Sequence, residues 1–147
     1  MDVLVLQSGS QGNCIYVESR GVAVLLDAGI SARQVQIRLA QHNKRIESVR
    51  GVVISHSHRD HIGHAGVYQR KLRLLTFMTE EARNNFPDVD DSLCRVFYPD
   101  QCLEFDHLRV EPIPTPHDAP GSLAFVVSDE HRRLAVLTDL GHPFRQL

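Results

Sequence analysis

Short apolar runs separated by turn residues open the chain. Valine, isoleucine and leucine are concentrated at residues 3–6, 14–18 and 22–26, and clusters of glycine, serine and asparagine or arginine lie between these runs. Runs of this length bounded by turn residues predict strands joined by tight connections. We therefore expect residues 3–26 to form a three-stranded meander.

The hydrophobic period then changes to that of a helix. Apolar residues recur at helical spacing after residue 31. Ser31 is followed three residues later by Gln34, which is the pattern of a capping box. A helix over about residues 31–42 is predicted.

Strands and helices alternate over the middle of the chain, and strands alone are predicted after it. Thr79 precedes two glutamates, and this order suits the start of a helix because acidic side chains stabilise its positive N-terminal end. Later apolar runs are separated by proline, aspartate and glycine and show no helical pattern. The predicted elements are a strand at 51–55, a helix at 64–72, a strand at 74–78, a helix from 79, and strands at 93–98, 107–113, 123–128 and 133–138.

Length and composition are those of one folded domain, which we expect to span residues 1–147. The chain is 42% hydrophobic and 23% charged, values that exclude collagen-like, coiled-coil and disordered classes. Its net charge of -2 provides no overall basic field of the kind that would by itself indicate nucleic-acid binding. No signal-peptide or membrane-spanning pattern is present, and the three cysteines form no C-x-x-C pair. These features favour a cytoplasmic protein without a membrane partner.

Histidine is the unusual component, because four of the nine histidines fall within residues 56–64. This segment, HSHRDHIGH, directly follows an apolar run. Imidazole nitrogen and carboxylate oxygen are ligands that Zn²⁺ and similar divalent cations bind. His56 and His58, two residues apart in an extended loop, would direct their rings to the same side. The pattern predicts a metal site at a strand end, and a solvent-exposed histidine-rich loop is the alternative interpretation.

Four short motifs give the chain a resemblance to the metallo-β-lactamase superfamily. HSHRDH at residues 56–61 matches the H-x-H-x-D-H signature of that family. Asp27 in LLDAG, His117 in PTPHD and Asp139 in TDLG stand where its other motifs would. The opening SGSQGNC at residues 8–14 resembles more narrowly the YycJ/VicX (WalJ) branch, whose members are regarded as 5′–3′ DNA exonucleases.

The resemblance implies an α/β fold, the αββα sandwich of the metallo-β-lactamases, with a site for one or two ions. Zn²⁺ or Mn²⁺ is expected there, with iron as an alternative. The implied ligands are His56, His58 and His117 for one ion and Asp60, His61 and Asp139 for a second, with Asp139 bridging both.

The same resemblance assigns chemical roles to individual residues. Two ions that share a hydroxide and clamp a phosphoryl group would carry out metal-assisted hydrolysis. Asp60 would be the catalytic residue, since a carboxylate bound through one oxygen keeps the other to accept or return a proton. Asp27 would hold a ligand histidine in the right tautomer by accepting its other N–H. Outside the family context, Asp27, His117 and Asp139 could each be an ordinary turn residue.

Four features allow more than one interpretation. His64 is expected at a helix start rather than as a ligand, and His142 could line the site. The loop at residues 8–13 is either a plain hairpin connection or a set of backbone N–H groups that face an anion. Arg70 and its basic neighbours are either a solvated helix face or a contact for phosphate.

The expected function is that of a metal-dependent phosphodiesterase, with 5′–3′ exonuclease activity on single- or double-stranded DNA favoured. The alternatives are hydrolysis of a small ester, thioester or lactone, and a catalytically weak metal-binding fragment. Family members continue well past the fourth motif, whereas this sequence stops eight residues after Asp139. We therefore expect the usual C-terminal portion of the fold to be missing, and a homo-oligomer to cover the sheet edge left open.

Overall fold

Two β-sheets packed against each other and a layer of helices form the part of the chain that the structure describes. A computed structural model describes residues 1–116, 119 and 121–140. The strands are β1 (Asp2–Gln7), β2 (Cys14–Ser19), β3 (Val22–Leu26), β4 (Val49–Val53), β5 (Leu75–Met78), β6 (Cys94–Val96), β7 (Leu103–Phe105), β8 (Leu108–Pro114), β9 (Leu123–Ser128) and β10 (Arg133–Val136). The helices are α1 (Ala32–Gln41), α2 (Arg59–Ile62), α3 (Ala65–Leu72) and α4 (Glu80–Asn85).

The first sheet has six strands in the order β1-β2-β3-β4-β5-β6. Its first three strands are antiparallel neighbours, which confirms the predicted meander. From β3 onwards the strands are parallel, and helices or loops cross over between them. Parallel strands are covered on both faces and therefore have continuous apolar sequences, as the fully buried β3 shows.

Successive residues of these strands supply two separate cores. Leu25 and Val52 pack with the helices, whereas the next residues, Leu26 and Val53, pack against the second sheet. The alternation follows from the strand geometry, in which neighbouring side chains point to opposite faces.

The helix starts predicted from the sequence are confirmed. The Ser31 side chain accepts from the backbone N–H of Gln34, and Gln34 completes the capping box in return. Thr79 caps α4 by accepting from the N–H of Ala82. These contacts satisfy donors that the first turn of a helix cannot pair internally.

The second sheet is antiparallel, in the order β10-β9-β8-β7. Phe105 and Phe125 from this sheet are buried in the core between the sheets, and the Phe105 ring meets Phe77 of the first sheet edge to face at 5.0 Å. No helix follows β7 within the described ranges. These residues therefore contain a helix layer and both sheets of the αββα sandwich.

Several predicted boundaries were wrong. β4 ends at Val53 instead of continuing to residue 55, because the Ser55 N–H donates to the Asp27 side chain instead of to a neighbouring strand. β6 and β10 are each shorter than predicted, and the three-residue β7 was missed, since so short a run has little pattern.

Two observations concern the environment of the chain. Cys14, Cys94 and Cys102 are all free thiols. Over the residues that the structure describes, every helix is too short or too polar to cross a lipid bilayer.

Candidate metal centre

The site lies where the parallel strands β3 and β4 end side by side. Leu26 and Val53, the last residues of the two strands, are paired in register. Asp27 follows β3 directly, and its N–H donates to the Val53 carbonyl at 2.9 Å. Because the carboxyl ends of parallel strands meet at one edge of the sheet, Asp27 comes to lie beside the histidine motif.

Asp27 is the buried anchor of this edge, with 3% of its surface exposed. One carboxylate oxygen accepts from the Ser55 N–H at 2.8 Å, and the other accepts from Ser55 Oγ at 3.0 Å. The second oxygen also lies 2.7 Å from Nδ1 of His61. Its backbone is left-handed, with φ 66°, a conformation that aspartate tolerates better than most residues.

The contact with Asp27 determines which nitrogen of His61 faces the site. A carboxylate only accepts, so Nδ1 carries the proton, and a neutral imidazole then presents Nε2 as its metal-binding nitrogen. Burial lowers the pKa of His61, but the carboxylates of Asp27, Asp139 and Asp60 outweigh burial and leave this pKa above its usual value.

Three potential ligand atoms from two distant parts of the sequence, the histidine motif and Asp139, meet at this point. The ligand atoms of His56, His61 and Asp139 all lie within 4.8 Å of one another. Asp139 Oδ2 is 2.6 Å from Nε2 of His61 and 3.6 Å from Nε2 of His56. Without a metal ion, the raised pKa of His61 favours a proton on Nε2 between these two atoms, and a bound cation would take the place of that proton. Two nitrogens and one oxygen are a donor set that fits a divalent ion such as Zn²⁺.

The histidine motif is only partly the extended loop that the sequence predicts. His58 has an extended backbone and precedes α2, whose single turn contains Asp60 and His61. The His58 carbonyl accepts the N–H groups of His61 and Ile62, which closes that turn. The ring of His58 lies 4.8 Å from that of His56, centroid to centroid. Asp60 Oδ2 is 3.5 Å from Nε2 of His61.

Two histidines considered from the sequence, His117 and His142, lie outside the described residues. The ligand role of His117 therefore stays a prediction. Asp139 lies between His56 and His61, where a bridging ligand would have to be, and its bridging role also stays a prediction.

Two residues next to the cluster were missed from the sequence. Ser55 Oγ lies 2.9 Å from Nδ1 of His56 and 3.2 Å from Nδ1 of His61. Asn13 Nδ2 lies 3.0 Å from Nε2 of His61. The position of Ser55 directly before the motif was the available signal for it. No local pattern distinguishes Asn13 from an ordinary turn residue.

The structure bears on the remaining open interpretations, while contact of the loop with an anion and of Arg70 with phosphate stay predictions. The loop at residues 8–13 connects β1 and β2 as a hairpin. His64 precedes α3 as its capping residue and donates its N–H to the Ala28 carbonyl, in agreement with a helix-start role. Arg70 forms a two-point ion pair with Asp88 at 2.9 and 3.2 Å.

A cavity of about 290 Å³ borders the cluster. Asp60 and Asp139 form part of its wall, together with the hairpin loop and the residues that follow β10. A small substrate group can therefore reach the two carboxylates from this side. The lining residues are Ser8, Gly9, Ser10, Asn13, Asp60, Leu137, Thr138 and Asp139.

Curated proteins similar to this chain include two bacterial nucleases. The exodeoxyribonuclease YycJ of Bacillus anthracis is 30% identical over 142 residues, which are 94% of this chain and 54% of that protein. The exodeoxyribonuclease WalJ of Streptococcus pneumoniae is 30% identical over 144 residues, with the same two shares. The chain thus spans about half the length of the curated relatives it matches.

Solved structures show the same fold. A metallo-β-lactamase HARLDQ-motif mutant from Cronobacter sakazakii superposes with a TM-score of 0.78 at 16% identity, covering 99% of this chain and 62% of that structure. The sequence profile described as the metallo-beta-lactamase superfamily matches residues 8–147. The chain belongs to the metallo-β-lactamase superfamily.

Proposed function

We propose that this protein is a metal-dependent phosphodiesterase and, within that class, a 5′–3′ DNA exonuclease. The observation that carries the proposal is the convergence of His56, His61 and Asp139 at the edge of the first sheet. Similarity to two exodeoxyribonucleases favours a phosphodiester in DNA over other substrates of such a site.

The proposed ligands are the residues of the histidine motif and Asp139, with His117 as the further nitrogen donor. We expect one or two ions of Zn²⁺ or Mn²⁺, with iron as the alternative. When bound, such ions lower the pKa of coordinated water and stabilise charge on a phosphoryl group.

Asp60 is the proposed proton carrier. Its side chain is 29% exposed and lines the cavity beside the cluster, so that it can reach both a substrate and a water molecule. Asp27 orients His61 through the bond to Nδ1, because a fixed tautomer keeps Nε2 directed at the ligand cluster.

The proposed DNA substrate must be held by local contacts. The net charge of -2 gives the whole chain no attraction for a polyanion. Ser8, Ser10 and Thr138 line the cavity, and their side chains carry hydroxyl groups of the kind that donate hydrogen bonds to phosphodiester oxygens.

A cytoplasmic location and self-association belong to the same proposal. The three free thiols agree with a reducing compartment. Strand β10 is at the edge of the second sheet, and Leu137 and Leu140 beyond it are exposed. An unpaired edge with apolar neighbours favours association, which light scattering would detect.

The test compares metal content and turnover in three forms of the full chain. The wild type, purified without chelators, should contain transition metal and release mononucleotides from 5′-labelled DNA. His58→Ala should lose most of the metal. Asp60→Asn should keep most of it, yet hydrolyse bis(p-nitrophenyl) phosphate at saturating Mn²⁺ roughly 100-fold more slowly, since asparagine has no basic oxygen.

Asp100→Asn, a change at an exposed loop residue, is the matched control and should equal the wild type. Absence of transition metal from the wild type would contradict the metal site. Unchanged turnover in Asp60→Asn would remove its role as proton carrier. Hydrolysis of p-nitrophenyl acetate without any phosphodiester cleavage would favour the small-ester alternative.

A further inference from the structure

The hairpin loop at residues 8–13 is bonded through its backbone to both segments that build the metal centre. The N–H of Asn13 donates to the Asp60 carbonyl at 2.7 Å, and the Asn13 carbonyl accepts from the N–H of Gly29 at 2.9 Å. Gly29 lies two residues after Asp27, and Asp60 lies in α2. Asn13 thus joins the hairpin, the turn after β3 and α2 at one point.

These three backbones are in direct contact, with no space for side chains between them. A Cβ atom on Gly29 would lie 1.8 Å from the Asp60 carbonyl oxygen. A Cβ atom on Gly12, which has φ 134°, would lie 2.3 Å from the Gly29 carbonyl oxygen. The position of Asn13 relative to Asp60 is therefore determined by packed backbone.

The side chain of Asn13 has a defined orientation. It is 6% exposed, and its Oδ1 accepts from the Gly9 N–H at 3.0 Å. The amide nitrogen lies 3.2 Å from the Gly9 carbonyl oxygen, 3.2 Å from Oδ2 of Asp60 and 3.0 Å from Nε2 of His61, and its two protons can serve two of these acceptors. The amide nitrogen of this buried asparagine thus bonds the loop and also reaches the proposed proton carrier and its neighbour His61.

We propose that Asn13 is a positioning residue that acts through Asp60. Its amide holds one oxygen of the Asp60 carboxylate, so that the orientation of the carboxylate towards the cluster is limited before substrate binds. This proposal rests on the function proposed above and adds a residue of the hairpin loop to that site. Because Asn13 contacts Asp60 through both backbone and side chain, the two contributions can be separated by substitution.

A purely structural role predicts a different outcome from a role through Asp60. If Asn13 only ties the loop, its two bonds to Gly9 are what matter, and an Asn13 variant should lose the same fraction of kcat whether or not Asp60 is present. If the amide donor is what matters, Asn13→Asp and Asn13→Ala should both impair Asp60. In an Asp60→Asn background, removal of Asn13 should then have little further effect, since interacting residues are not additive.

The experiment is a double-mutant cycle in the full chain with Asn13→Ala and Asp60→Asn. We expect Asn13→Ala to lower kcat for bis(p-nitrophenyl) phosphate about 10- to 100-fold, as loss of a partner of a metal-site residue usually does, with KM changed less than about twofold. In the Asp60→Asn background the further decrease should be below about threefold. Asn13→Asp, which keeps an acceptor for the Gly9 N–H, provides the same comparison if the alanine variant does not fold.

A second readout is independent of turnover. The absorption spectrum of the Co²⁺-loaded chain reports the ligand geometry and should change in Asn13→Ala and Asn13→Asp. Gln11→Ala, an exposed amide in the same loop, is the matched control and should retain the wild-type spectrum and kcat.

Two results would overturn the proposed role of Asn13 and leave the proposed metal site unaffected. One is a full additional loss of kcat in the Asp60→Asn background, and the other is a spectrum and kcat in both Asn13 variants that equal those of Gln11→Ala. Failure of the wild-type chain to bind Co²⁺ would instead overturn the metal site, and this proposal with it.

Discussion

The two sides of the candidate metal centre differ in how their side chains are held. On the side of the first sheet, Asp27, His56 and His61 are each at most 3% exposed and connected through Ser55. On the other side, Asp139 is 41% exposed and lies three residues beyond the end of β10. It reaches the cluster through its contacts with His56 and His61.

This difference predicts which substitutions affect folding and which affect only metal binding. Removing the partner of a buried polar group lowers the free energy of unfolding. The side chains on the first side therefore contribute to folding as well as to ligand geometry. An exposed carboxylate contributes little to folding because solvent screens it. Substitutions on the first side should therefore lower both the free energy of unfolding and the affinity for metal. Substitutions on the other side should lower only the affinity for metal.

The largest effect is expected for Gly29→Ala. The added Cβ would lie 1.8 Å from the Asp60 carbonyl oxygen and 2.3 Å from the Asn13 nitrogen, so backbone must move. Unfolding in urea should show a loss of roughly 4–5 kcal/mol, together with loss of bound metal. Gly21→Ala is the control, since φ 80° strains it but nothing lies within 4 Å, and it should cost only about 1–2 kcal/mol and leave metal content unchanged.

Asp27→Ala should produce the next largest effect. It leaves the Ser55 N–H and Oγ and the His61 Nδ1–H without their acceptor, which should destabilise the chain by about 3 kcal/mol. Affinity for Zn²⁺, measured by competition with a chromophoric chelator, should fall about 10- to 100-fold. Asp27→Asn keeps an acceptor oxygen and tolerates the left-handed backbone, so a loss as large as that of alanine would contradict this explanation.

Asp139→Ala tests the exposed side of the comparison. Zn²⁺ affinity should fall by more than about tenfold because one oxygen donor is removed. The metal-free chain should lose less than about 1 kcal/mol of unfolding free energy. If its stability decreased as much as that of Asp27→Ala, the two sides would not differ in the way described.

The smallest expected effect concerns a hydrogen bond between β2 and the turn after β9, away from the metal centre. Asp129 accepts from the N–H groups of His131 and Arg132, and Ser19 Oγ of β2 donates to it at 2.7 Å. The backbone bond from His131 and the Ser19 bond hold the pKa of Asp129 well below its usual value. A depressed pKa in the folded state stabilises the fold above the unfolded value near 4, and this contribution disappears as the pH falls below it.

Asp129→Asn should therefore make urea midpoints less dependent on pH below about pH 4. Near neutral pH the variant should be slightly less stable than the wild type, while its metal content stays the same. A pH dependence identical to that of the wild type would show that Asp129 does not contribute to the acid sensitivity of the fold.

The local elements were largely predictable from sequence because their causes are local. Strand and helix periods, the capping box at Ser31 and the cap at Thr79 depend on residues within one turn or one strand. Motifs alone were enough to assign the superfamily, since HSHRDH and the three motifs around it recur in a definite order. Predicted strand boundaries were wrong where a tertiary hydrogen bond replaced a hydrogen bond between neighbouring strands, as at Ser55.

The tertiary structure decides which atoms come into contact at the metal centre. The sequence by itself determined the residue types able to bind a metal and the strand ends that present them. Only the register of β3 with β4 places Asp27 against His61, and only the packed contact of the hairpin loop with α2 directs Asn13 at Asp60. The physical reason is that such contacts join residues 34 and 47 positions apart, whose distance in space depends on sheet order and backbone packing and leaves no periodic signal in the sequence.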